Sequence, residues 1–465
     1  MVVEGWLARA AAARPRHEAV QTPAGAWSYA ELYAAARRGS GELAARGARP
    51  GERVAIALSP GLAFAQALHA CFLLGAVAVP IDVRSPPRER ALLAEGAVVA
   101  LDEPLAGAES ASRKTEGEGG NGSTATAGGG TPGREHDLDA VAVVIHTSGT
   151  TSAPRPVELS YGNLLWSALG SAVALGLDPR ERWLCAMPVA HVGGLSILVR
   201  SAIYATTAVV HERFEVDRVL DALREQQTTL VSLVATTLAA LLDAGLTAPP
   251  SLRCALTGGG PVPASLVERA RSQGVGVGLT YGLTEACSQV TTTPAASLAD
   301  DGDAAGPPLF CTRLRIEEQA PAQAGVGEIL LAGPTLARAS LERDGWLRTG
   351  DVGSIDELGR LHVSGRKSDT IISGGENVAP AEVEAVLEAH PDVLEAAVLP
   401  GRDERWGEAV TAIVVARPGR VLDGEALRAH CALALAPYKV PKEVTLAAAP
   451  LPRTPSGKLL RRELR

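Results

Sequence analysis

Apolar positions along the chain alternate between the spacing of an amphipathic helix and that of a buried strand. The pattern predicts helices from residue 5 to residue 45, a strand at 53–58, a helix at 62–74 and a strand at 76–79. A strand–helix–strand order favours parallel pairing with right-handed crossovers. The alternation resumes at residue 142 and runs to about residue 365, so we predict an α/β fold class.

A shorter pattern follows near the C-terminus. It contains a strand at 370–372, a helix at 380–390, strands at 393–399 and 410–416, and a helix at 424–435. A polar step at 366–369 separates it from the preceding pattern, and about 100 residues suffice for a small domain. We therefore predict a large N-terminal domain of layered α/β subdomains over residues 1–366 and a small α+β domain over residues 367–465.

One segment breaks the alternation. Residues 109–135 are dominated by Ser, Thr, Gly and Glu and include the run Gly128-Gly129-Gly130. Such a segment cannot bury enough apolar surface to fold on its own. We expect a flexible surface insert there, to which the sequence assigns no role.

Composition and charge exclude several classes of protein. The chain has 465 residues, 46% of them hydrophobic, and a net charge of −8, which disfavours a dedicated nucleic-acid binder. Its six dispersed cysteines lack zinc-site spacing and suggest reduced thiols in a cytoplasmic protein. The start lacks a signal-peptide pattern, and the longest apolar stretch, 71–79, is about half a membrane span. We expect no membrane span; the oligomeric state stays open, homo-oligomers included.

A polar loop directly after an apolar strand is the strongest local chemical signal. The strand at 141–145 runs into Thr147-Ser148-Gly149-Thr150-Thr151-Ser152. Hydroxyls and free backbone N–H groups in a glycine-containing turn suit phosphate oxygens. The loop is not a Walker P-loop, because the chain has no GxxxxGK[ST] pattern. On its own, the loop could equally be a polar surface turn.

Further motifs follow in a fixed order. They are Thr257-Gly258-Gly259-Gly260, Thr280-Tyr281-Gly282-Leu283-Thr284-Glu285, Trp346-Leu347-Arg348-Thr349-Gly350-Asp351, Gly365-Arg366 and Pro455-Ser456-Gly457-Lys458. In this order the segments resemble the adenylate-forming superfamily, which contains acyl-CoA synthetases, luciferase-like enzymes and the adenylation domains of peptide synthetases. The resemblance covers nearly the whole chain. It implies an acid–thiol ligase with ATP and Mg²⁺, and with coenzyme A as co-substrate.

The resemblance also implies roles for individual residues. The residues implied to bind ATP or AMP are Thr147, Ser148, Gly149, Thr150, Thr151, Gly258, Gly259, Gly260, Tyr281, Gly282, Asp351 and Arg366. Thr284 is implied to contact the α-phosphate, Glu285 to help bind Mg²⁺, and Lys458 to stabilise charge as it develops on the reacting groups. The small domain is implied to be a mobile lid, with Gly374 and Gly375 along the CoA tunnel.

The chain departs from the family pattern just after the polar loop. The family usually has glycine followed by Pro-Lys-Gly, whereas this chain has Ser152 and then Pro154-Arg155-Pro156. Arg155 keeps the positive charge with a different shape, and Ser152 and Pro156 restrict the backbone more than glycine does. We expect an effect on loop movement and turnover rather than on nucleotide binding.

The acid substrate is suggested by a second set of residues. The segment from Met187 to Leu195 resembles the acyl-pocket motif of CoA ligases, with His191 as a catalytic and substrate-binding candidate; a core histidine is the alternative. Arg200 interrupts an apolar run, and a buried arginine needs an anionic partner. With Ser288 after the Thr-Glu pair, these residues look most like o-succinylbenzoate–CoA ligases, where Arg200 and Ser288 would hold the carboxylate that does not react.

Three alternatives remain open from the sequence. The enzyme could activate another aryl or medium-chain carboxylic acid. It could be a stand-alone adenylation enzyme that loads a carrier protein. The altered loop also leaves open a nucleotide-binding protein without catalysis, although the retention of Glu285, Asp351 and Lys458 argues against it.

Overall fold

The computed structural model describes residues 1–108, 135–147, 154–298, 302, 304–318, 325–373, 376–403, 407–454 and 459–464. The insert expected at 109–135 therefore lies outside the described residues, except for its last residue. Glu135 was wrongly included in it, because Glu135 begins a short strand that pairs antiparallel with the N-terminal strand.

The described residues form helices and strands that we number in chain order. The helices are α1 (Trp6–Ala13), α2 (Tyr29–Ala45), α3 (Leu62–Leu74), α4 (Pro87–Leu93), α5 (Tyr161–Leu175), α6 (Val192–Tyr204), α7 (Val216–Glu225), α8 (Ala235–Asp243), α9 (Ala264–Ser272), α10 (Pro380–Glu388) and α11 (Gly424–Ala434). The strands are β1 (Val2–Glu4), β2 (Glu18–Thr22), β3 (Gly25–Ser28), β4 (Arg53–Ile56), β5 (Val77–Pro80), β6 (Ala97–Leu101), β7 (Glu135–Asp137), β8 (Val141–Thr147), β9 (Arg155–Ser160), β10 (Arg182–Cys185), β11 (Thr207–Val210), β12 (Leu230–Leu233), β13 (Cys254–Thr257), β14 (Val277–Leu283), β15 (Ser288–Thr292), β16 (Arg313–Glu318), β17 (Val326–Ala332), β18 (Leu347–Ile355), β19 (Leu361–Arg366), β20 (Ile371–Ser373), β21 (Glu376–Val378), β22 (Val393–Asp403), β23 (Gly407–Ala416) and β24 (Glu443–Ala447).

Two mainly parallel sheets make up most of the large N-terminal part. One has the order β6-β4-β5-β8-β9, and the other has the order β15-β14-β13-β12-β10-β11-β2-β3. Each sheet is antiparallel only at its ends, where β8 meets β9, β14 meets β15 and β2 meets β3. This arrangement confirms the predicted α/β fold class.

Helices fill the space between the two sheets. The largest hydrophobic cluster joins side chains of α1, α2, α3, α5 and α6 to strands of both sheets. Every residue of α3 from Phe64 to Leu73 is buried, which explains why its sequence is apolar all round rather than on one stripe. The helix ends at Gly75, whose φ of 75° is the left-handed conformation that glycine adopts without strain.

Two parts of the predicted pattern were wrong. Residues 18–28 form the hairpin β2–β3 within the stretch predicted to be helical, because Pro23 and Gly25 place a turn between short alternating segments. The α/β alternation also ends before residue 365. Residues 313–366 instead form an antiparallel sheet, β16-β17-β18-β19, with one face packed on Ala286 and Val290.

The C-terminal pattern agrees with the prediction more closely. All three predicted strands and both helices are present, and the structure adds β21 and β24 to give one sheet with α10 and α11 packed against it. A short 3-10 turn, Lys367–Asp369, connects the antiparallel sheet to this unit. The large N-terminal part and the small C-terminal part expected from the sequence are thus confirmed.

A buried aromatic cluster ties the N-terminus to the first sheet. His136 stacks on Tyr161 with ring centroids 4.4 Å apart, and its Nε2 accepts a hydrogen bond of 3.3 Å from the backbone N–H of Trp6. Phe72 contacts both rings edge-on, and His69 contacts Phe72. Two histidines are therefore held in surroundings that favour their neutral form.

Acid should destabilise this cluster between about pH 6.5 and pH 4. The pKa values of His69 and His136 are each lowered to about 4, chiefly because burial penalises the charged imidazolium. The unfolded chain binds protons at these residues below about pH 6.5. Stability should then fall as the pH falls through this window, by about 1.4 kcal/mol per pH unit for each proton. Urea unfolding at pH 7, 6 and 5 measures the slope.

In the variant His69→Leu, the free energy of unfolding should fall less steeply with decreasing pH, since one of the two protons is no longer taken up on unfolding. Leu68→Ala is the matched control, because Leu68 is fully buried beside His69 in the chain and does not titrate, so the change should lower the stability without altering the slope. An unchanged slope in His69→Leu would assign the acid sensitivity to other groups.

Candidate functional site

Two of the predicted motifs lie at the carboxyl ends of neighbouring parallel strands. β13 ends at Thr257 and leads into Gly258, and β14 lies beside β13 and ends at Leu283, just before Thr284. Ligands in open α/β sheets bind at this edge, where loops leave the strands. The motifs at 257–260 and 280–285 are therefore neighbours in space as well as in sequence.

Two of the candidate glycines are required by close backbone approach. A Cβ on Gly258 would lie 2.5 Å from the carbonyl oxygen of Thr280, and one on Gly282 would lie 1.8 Å from that of Ser288. Gly259 has a φ of 81°, in the left-handed region, and Gly260 is open to solvent with nothing within 4 Å of such a Cβ. The exposed backbone at 259–260 leaves room for a flat group to lie against it.

Three of the predicted nucleotide-binding side chains form one hydrogen-bonded cluster. Asp351 is buried in β18, and its Oδ2 accepts a hydrogen bond of 2.7 Å from the Tyr281 hydroxyl. Its Oδ1 pairs with Nε of Arg366 at 2.7 Å. Burial, followed by the Asp351 charge, raises the pKa of the Tyr281 hydroxyl, so Tyr281 remains a neutral donor. The cluster fixes the position of the Tyr281 hydroxyl.

A second buried carboxylate lies next to this cluster. Glu328 accepts a hydrogen bond of 3.1 Å from the backbone N–H of Gly350 and pairs with Nζ of Lys367 at 3.0 Å. The Glu328 side chain is 7% exposed and that of Lys367 is 51% exposed. The first residue after β19 is therefore anchored to the antiparallel sheet.

Thr284 and Glu285 lie in a 3-10 turn immediately after β14. Both are half-buried, and the backbone carbonyl of Glu285 accepts a hydrogen bond of 2.7 Å from Ala337. In the part of the chain that the structure describes, no group of three or more His, Cys, Asp or Glu side chains could hold a metal. A single carboxylate such as that of Glu285 is nevertheless compatible with Mg²⁺, which in nucleotide enzymes takes one or two carboxylates together with phosphate oxygens.

The segment around His191 has a structural role as well as the expected functional one. His191 is the N-cap of α6, and its carbonyl accepts the first helical hydrogen bond from Leu195 at 3.0 Å. A Cβ on Gly194 would lie 2.5 Å from the carbonyl oxygen of Pro188, so glycine is required there.

Arg200 lies in the interior of the large N-terminal part. It is 3% exposed, its Nη2 donates a hydrogen bond of 3.0 Å to Oγ of Ser167, and its guanidinium lies 5.5 Å from the ring centroid of Trp183. Nε has no partner, and no described carboxylate forms an ion pair with Arg200. Burial lowers the pKa of the guanidinium. A buried cation held by one hydroxyl and one aromatic face is suited to an anionic ligand.

Arg200 is connected to the nucleotide motif through one short loop. Oγ of Ser167 donates a hydrogen bond of 2.6 Å to the carbonyl oxygen of Cys287, two residues after Glu285. Cys287 and Ser288 have φ values of 55° and 93°, which non-glycine residues adopt only at a cost. The loop 284–288 therefore carries Thr284 and Glu285 at one end and contacts the surroundings of Arg200 at the other.

Several predicted residues fall outside this description. Ser148, Gly149, Thr150, Thr151 and Ser152, Gly374 and Gly375, and Lys458 lie outside the described residues. Thr147 is the last residue of β8, and its hydroxyl donates to the carbonyl of Arg155 at 3.4 Å.

Sequence reasoning missed three residues of the site. Ser167, Trp183 and Glu328 belong to no motif, and each acts through a partner far away in the chain. The sequence offered two signals, which are that Ser167 interrupts an apolar helix and that Glu328 interrupts an apolar strand. Neither signal indicates which partner the side chain meets.

Two sequence models of known families match the chain. The family described as "AMP-binding enzyme" matches residues 7–341, and the one described as "AMP-binding enzyme C-terminal domain" matches residues 382–458. The two matches agree with the large and small parts of the fold.

Individual proteins are similar over the full length. The 2-succinylbenzoate–CoA ligase of Bacillus subtilis (strain 168) is 38% identical, covering 99% of this chain and 97% of its own. The o-succinylbenzoate CoA synthetase (MenE) of Bacillus subtilis, solved with the acyl-adenylate intermediate OSB-AMP, gives a TM-score of 0.87 at 35% identity, covering 100% of this chain and 98% of that one. The same synthetase in complex with ATP and magnesium ion gives a TM-score of 0.86 at 36% identity, covering 100% of both chains.

No helix among the described residues has the length and hydropathy needed to cross a bilayer.

Proposed function

Because the chain belongs to the AMP-binding enzyme family, we propose that it is an ATP-dependent ligase that joins o-succinylbenzoate to coenzyme A through an acyl-adenylate, releasing AMP and pyrophosphate. The observation that carries the choice of acid is Arg200, a buried cation without a described carboxylate partner, linked through Ser167 to the loop that holds Thr284 and Glu285. A substrate with a second carboxylate supplies the missing anion.

The nucleotide would bind along the carboxyl ends of β13 and β14. Adenine would lie between the backbone of Gly259 and Gly260 and the ring of Tyr281, whose hydroxyl is held by its hydrogen bond to Asp351. The ribose hydroxyls would share Asp351, since each carboxylate oxygen can accept more than one hydrogen bond. The remaining family positions assigned to the nucleotide are Thr147, Ser148, Gly149, Thr150, Thr151, Gly258, Gly282 and Arg366.

In the first half-reaction the substrate carboxylate attacks the α-phosphorus of ATP and pyrophosphate leaves. Thr284 would donate to the α-phosphate, and Lys458 would stabilise the charge shared by the carboxylate and that phosphate. Glu285 would hold Mg²⁺, which, when bound, neutralises phosphate charge. His191, at the start of α6, would border the reacting carboxylate.

The carboxylate that does not react would bind deeper, against Arg200 and Ser288. A guanidinium already stacked on Trp183 can present its free N–H groups to a carboxylate without a large loss of side-chain entropy. Ser288 begins β15 with a positive φ of 93°, directly after the turn at Cys287. Together these groups would distinguish a dicarboxylic acid from a simple benzoate or fatty acid.

In the second half-reaction the small domain, residues 367–465, would rotate about 367–369 and present a new face for coenzyme A. The thiol attacks the acyl-adenylate, AMP leaves and the thioester remains. Gly374 and Gly375 would line the pantetheine tunnel, where residues without side chains leave room. Because the reaction uses ATP and coenzyme A, the enzyme would act in the cytoplasm. Rotation of one small domain would let a single pocket serve both steps.

Thioester formation tests the proposal directly. The purified chain with ATP, Mg²⁺ and coenzyme A should convert o-succinylbenzoate to its CoA thioester and release AMP. Parallel pyrophosphate-exchange assays with benzoates and medium-chain fatty acids should give much lower kcat/KM. Preference for one of those acids, or AMP release with a carrier protein but not with free coenzyme A, would overturn the assignment of the substrate.

Replacing Asp351 with asparagine should raise KM for ATP about 10-fold, the loss expected for hydrogen bonds to a charged group. The change removes the charge that pairs with Arg366 while it keeps the side-chain shape. Pyrophosphate exchange at varied ATP concentration measures it. Asp356→Asn is the matched control, because Asp356 pairs with Arg360 beyond the end of the same strand, and its KM should not change. Equal KM values for both variants would remove Asp351 from the ribose site.

A further inference from the structure

We propose that Ser167 is a positioning residue that determines specificity for dicarboxylic acids, by holding Arg200 and the turn that carries Ser288 in one arrangement. This inference rests on the proposed function, in which Arg200 and Ser288 bind the carboxylate that does not react. Ser167 lies on α5, is 2% exposed and belongs to none of the motifs in the sequence.

The hydroxyl of Ser167 has only one orientation that satisfies both of its neighbours. Arg200 can only donate hydrogen bonds and the carbonyl of Cys287 can only accept them. The Ser167 O–H must therefore point to the Cys287 oxygen, 2.6 Å away, and a lone pair of Oγ must accept from Nη2 of Arg200, 3.0 Å away. One oxygen atom thus sets the distance between the guanidinium and the loop 284–288.

The aromatic ring beside the Arg200 guanidinium is also held in place. The Trp183 ring lies against the guanidinium, and its indole N–H donates a hydrogen bond of 3.0 Å to the hydroxyl of Ser232, which holds the ring in place. Nε of Arg200 is buried without a partner. Among the described residues, Ser167 is the only side chain that forms a hydrogen bond with Arg200. The N–H groups of Arg200 that remain without a partner could donate to a ligand.

The same hydroxyl supports a turn that is costly for its residues. Cys287 and Ser288 both have positive φ, and the hydrogen bond from Ser167 binds the carbonyl between them. Loss of this bond would let the turn relax and move Ser288 relative to Arg200. A monocarboxylic acid uses neither group, so only a dicarboxylic substrate would be affected.

Ser167 is not needed to keep α5 in place. Nδ2 of Asn163, on the first turn of the helix, donates to the carbonyls of Pro334 and Leu336 at 2.8 and 2.9 Å. A capping box with Ser160 fixes the start of the helix. Truncation of the Ser167 side chain should therefore leave the helix folded and alter the arrangement around Arg200.

The experiment compares two buried serines with two substrates. Ser167→Ala should lower kcat/KM for o-succinylbenzoate about 10-fold, mostly through KM. It should leave unchanged the kcat/KM of the analogue whose non-reacting carboxylate is replaced by hydrogen. Ser201→Ala is the matched control, because Ser201 is buried beside Arg200 in the chain and its hydroxyl has no recorded hydrogen bond. It should change neither value.

A double-mutant cycle separates positioning from a structural effect. In the Arg200→Met background, Ser167→Ala should have no further effect on discrimination between the two substrates, since the group it positions is gone. Additive losses, or an equal loss with both substrates, would overturn the role of Ser167. If Arg200→Met itself leaves discrimination intact, the proposed carboxylate site is wrong and this inference is overturned with it. If Arg200→Met loses discrimination between the two substrates while Ser167→Ala keeps it, only the positioning role of Ser167 is overturned.

Discussion

Arg200→Met should lower kcat/KM for o-succinylbenzoate about 30- to 100-fold, the loss expected when one partner of a buried charge pair is removed. At the same time it should raise the thermal stability of the protein. Arg200 is 3% exposed and its only recorded hydrogen-bond partner among the described residues is Ser167, so the folded enzyme bears the cost of desolvating an uncompensated charge. Methionine has a similar length and carries no charge.

Opposite changes in activity and stability distinguish a binding residue from a structural one. Thermal unfolding and steady-state thioester formation measure the two quantities on the same preparation. The analogue without the second carboxylate is the substrate control, and its kcat/KM should be the same in both proteins. A variant that loses stability while it keeps its activity would show that Arg200 serves the core instead.

Lys458→Ala should slow formation of the acyl-adenylate about 10²- to 10³-fold, the usual effect of removing one group that stabilises developing charge. Pyrophosphate exchange measures this half-reaction alone. The second half-reaction, started from isolated acyl-adenylate and coenzyme A, should proceed at the wild-type rate, because the proposed domain rotation would remove Lys458 before the thiol attacks. The difference between the two rates tests both the lysine and the rotation.

Lys439→Ala is the matched control for Lys458→Ala. Lys439 belongs to the same small domain and forms an ion pair with Glu382 at 2.6 Å, so its role is structural. Both half-reactions should keep their wild-type rates in this variant. Equal slowing of the two half-reactions by Lys458→Ala would contradict the assignment, since it would indicate a general loss of folded enzyme.

The sequence correctly predicted the ends of helices where those ends are set by adjacent residues in the chain. The helix predicted at 62–74 has these bounds in the structure, because an apolar run ends at a glycine that adopts a left-handed conformation. The predicted helix at 380–390 begins at Pro380, where proline fits the first turn. Prediction was wrong in the hairpin at 18–28, where Pro23 and Gly25 were local turn signals within a pattern interpreted as helical. It was also wrong in the antiparallel sheet β16-β17-β18-β19, because the apolar pattern does not show which strands pair.

The candidate site was also predictable only in part. Gly258, Tyr281, Thr284, Asp351 and Arg366 were identified from short motifs, because each motif resembles a family motif in its residue types and in its place along the chain. Their contacts were not predictable. The hydrogen bond between Tyr281 and Asp351 joins residues 70 positions apart, and that between Ser167 and Arg200 joins two helices.

The amino-acid sequence by itself determined the fold class, the order of the two domains and the kinds of chemical group at each strand end, since these depend on periodicity and on short motifs. Only the tertiary structure decided which groups share a hydrogen bond: that Asp351 serves both Tyr281 and Arg366, and that Arg200 has a serine where a carboxylate would ordinarily stand. The physical reason is that the energy of a buried charge depends on what surrounds it in space, and those surroundings come from distant parts of the chain.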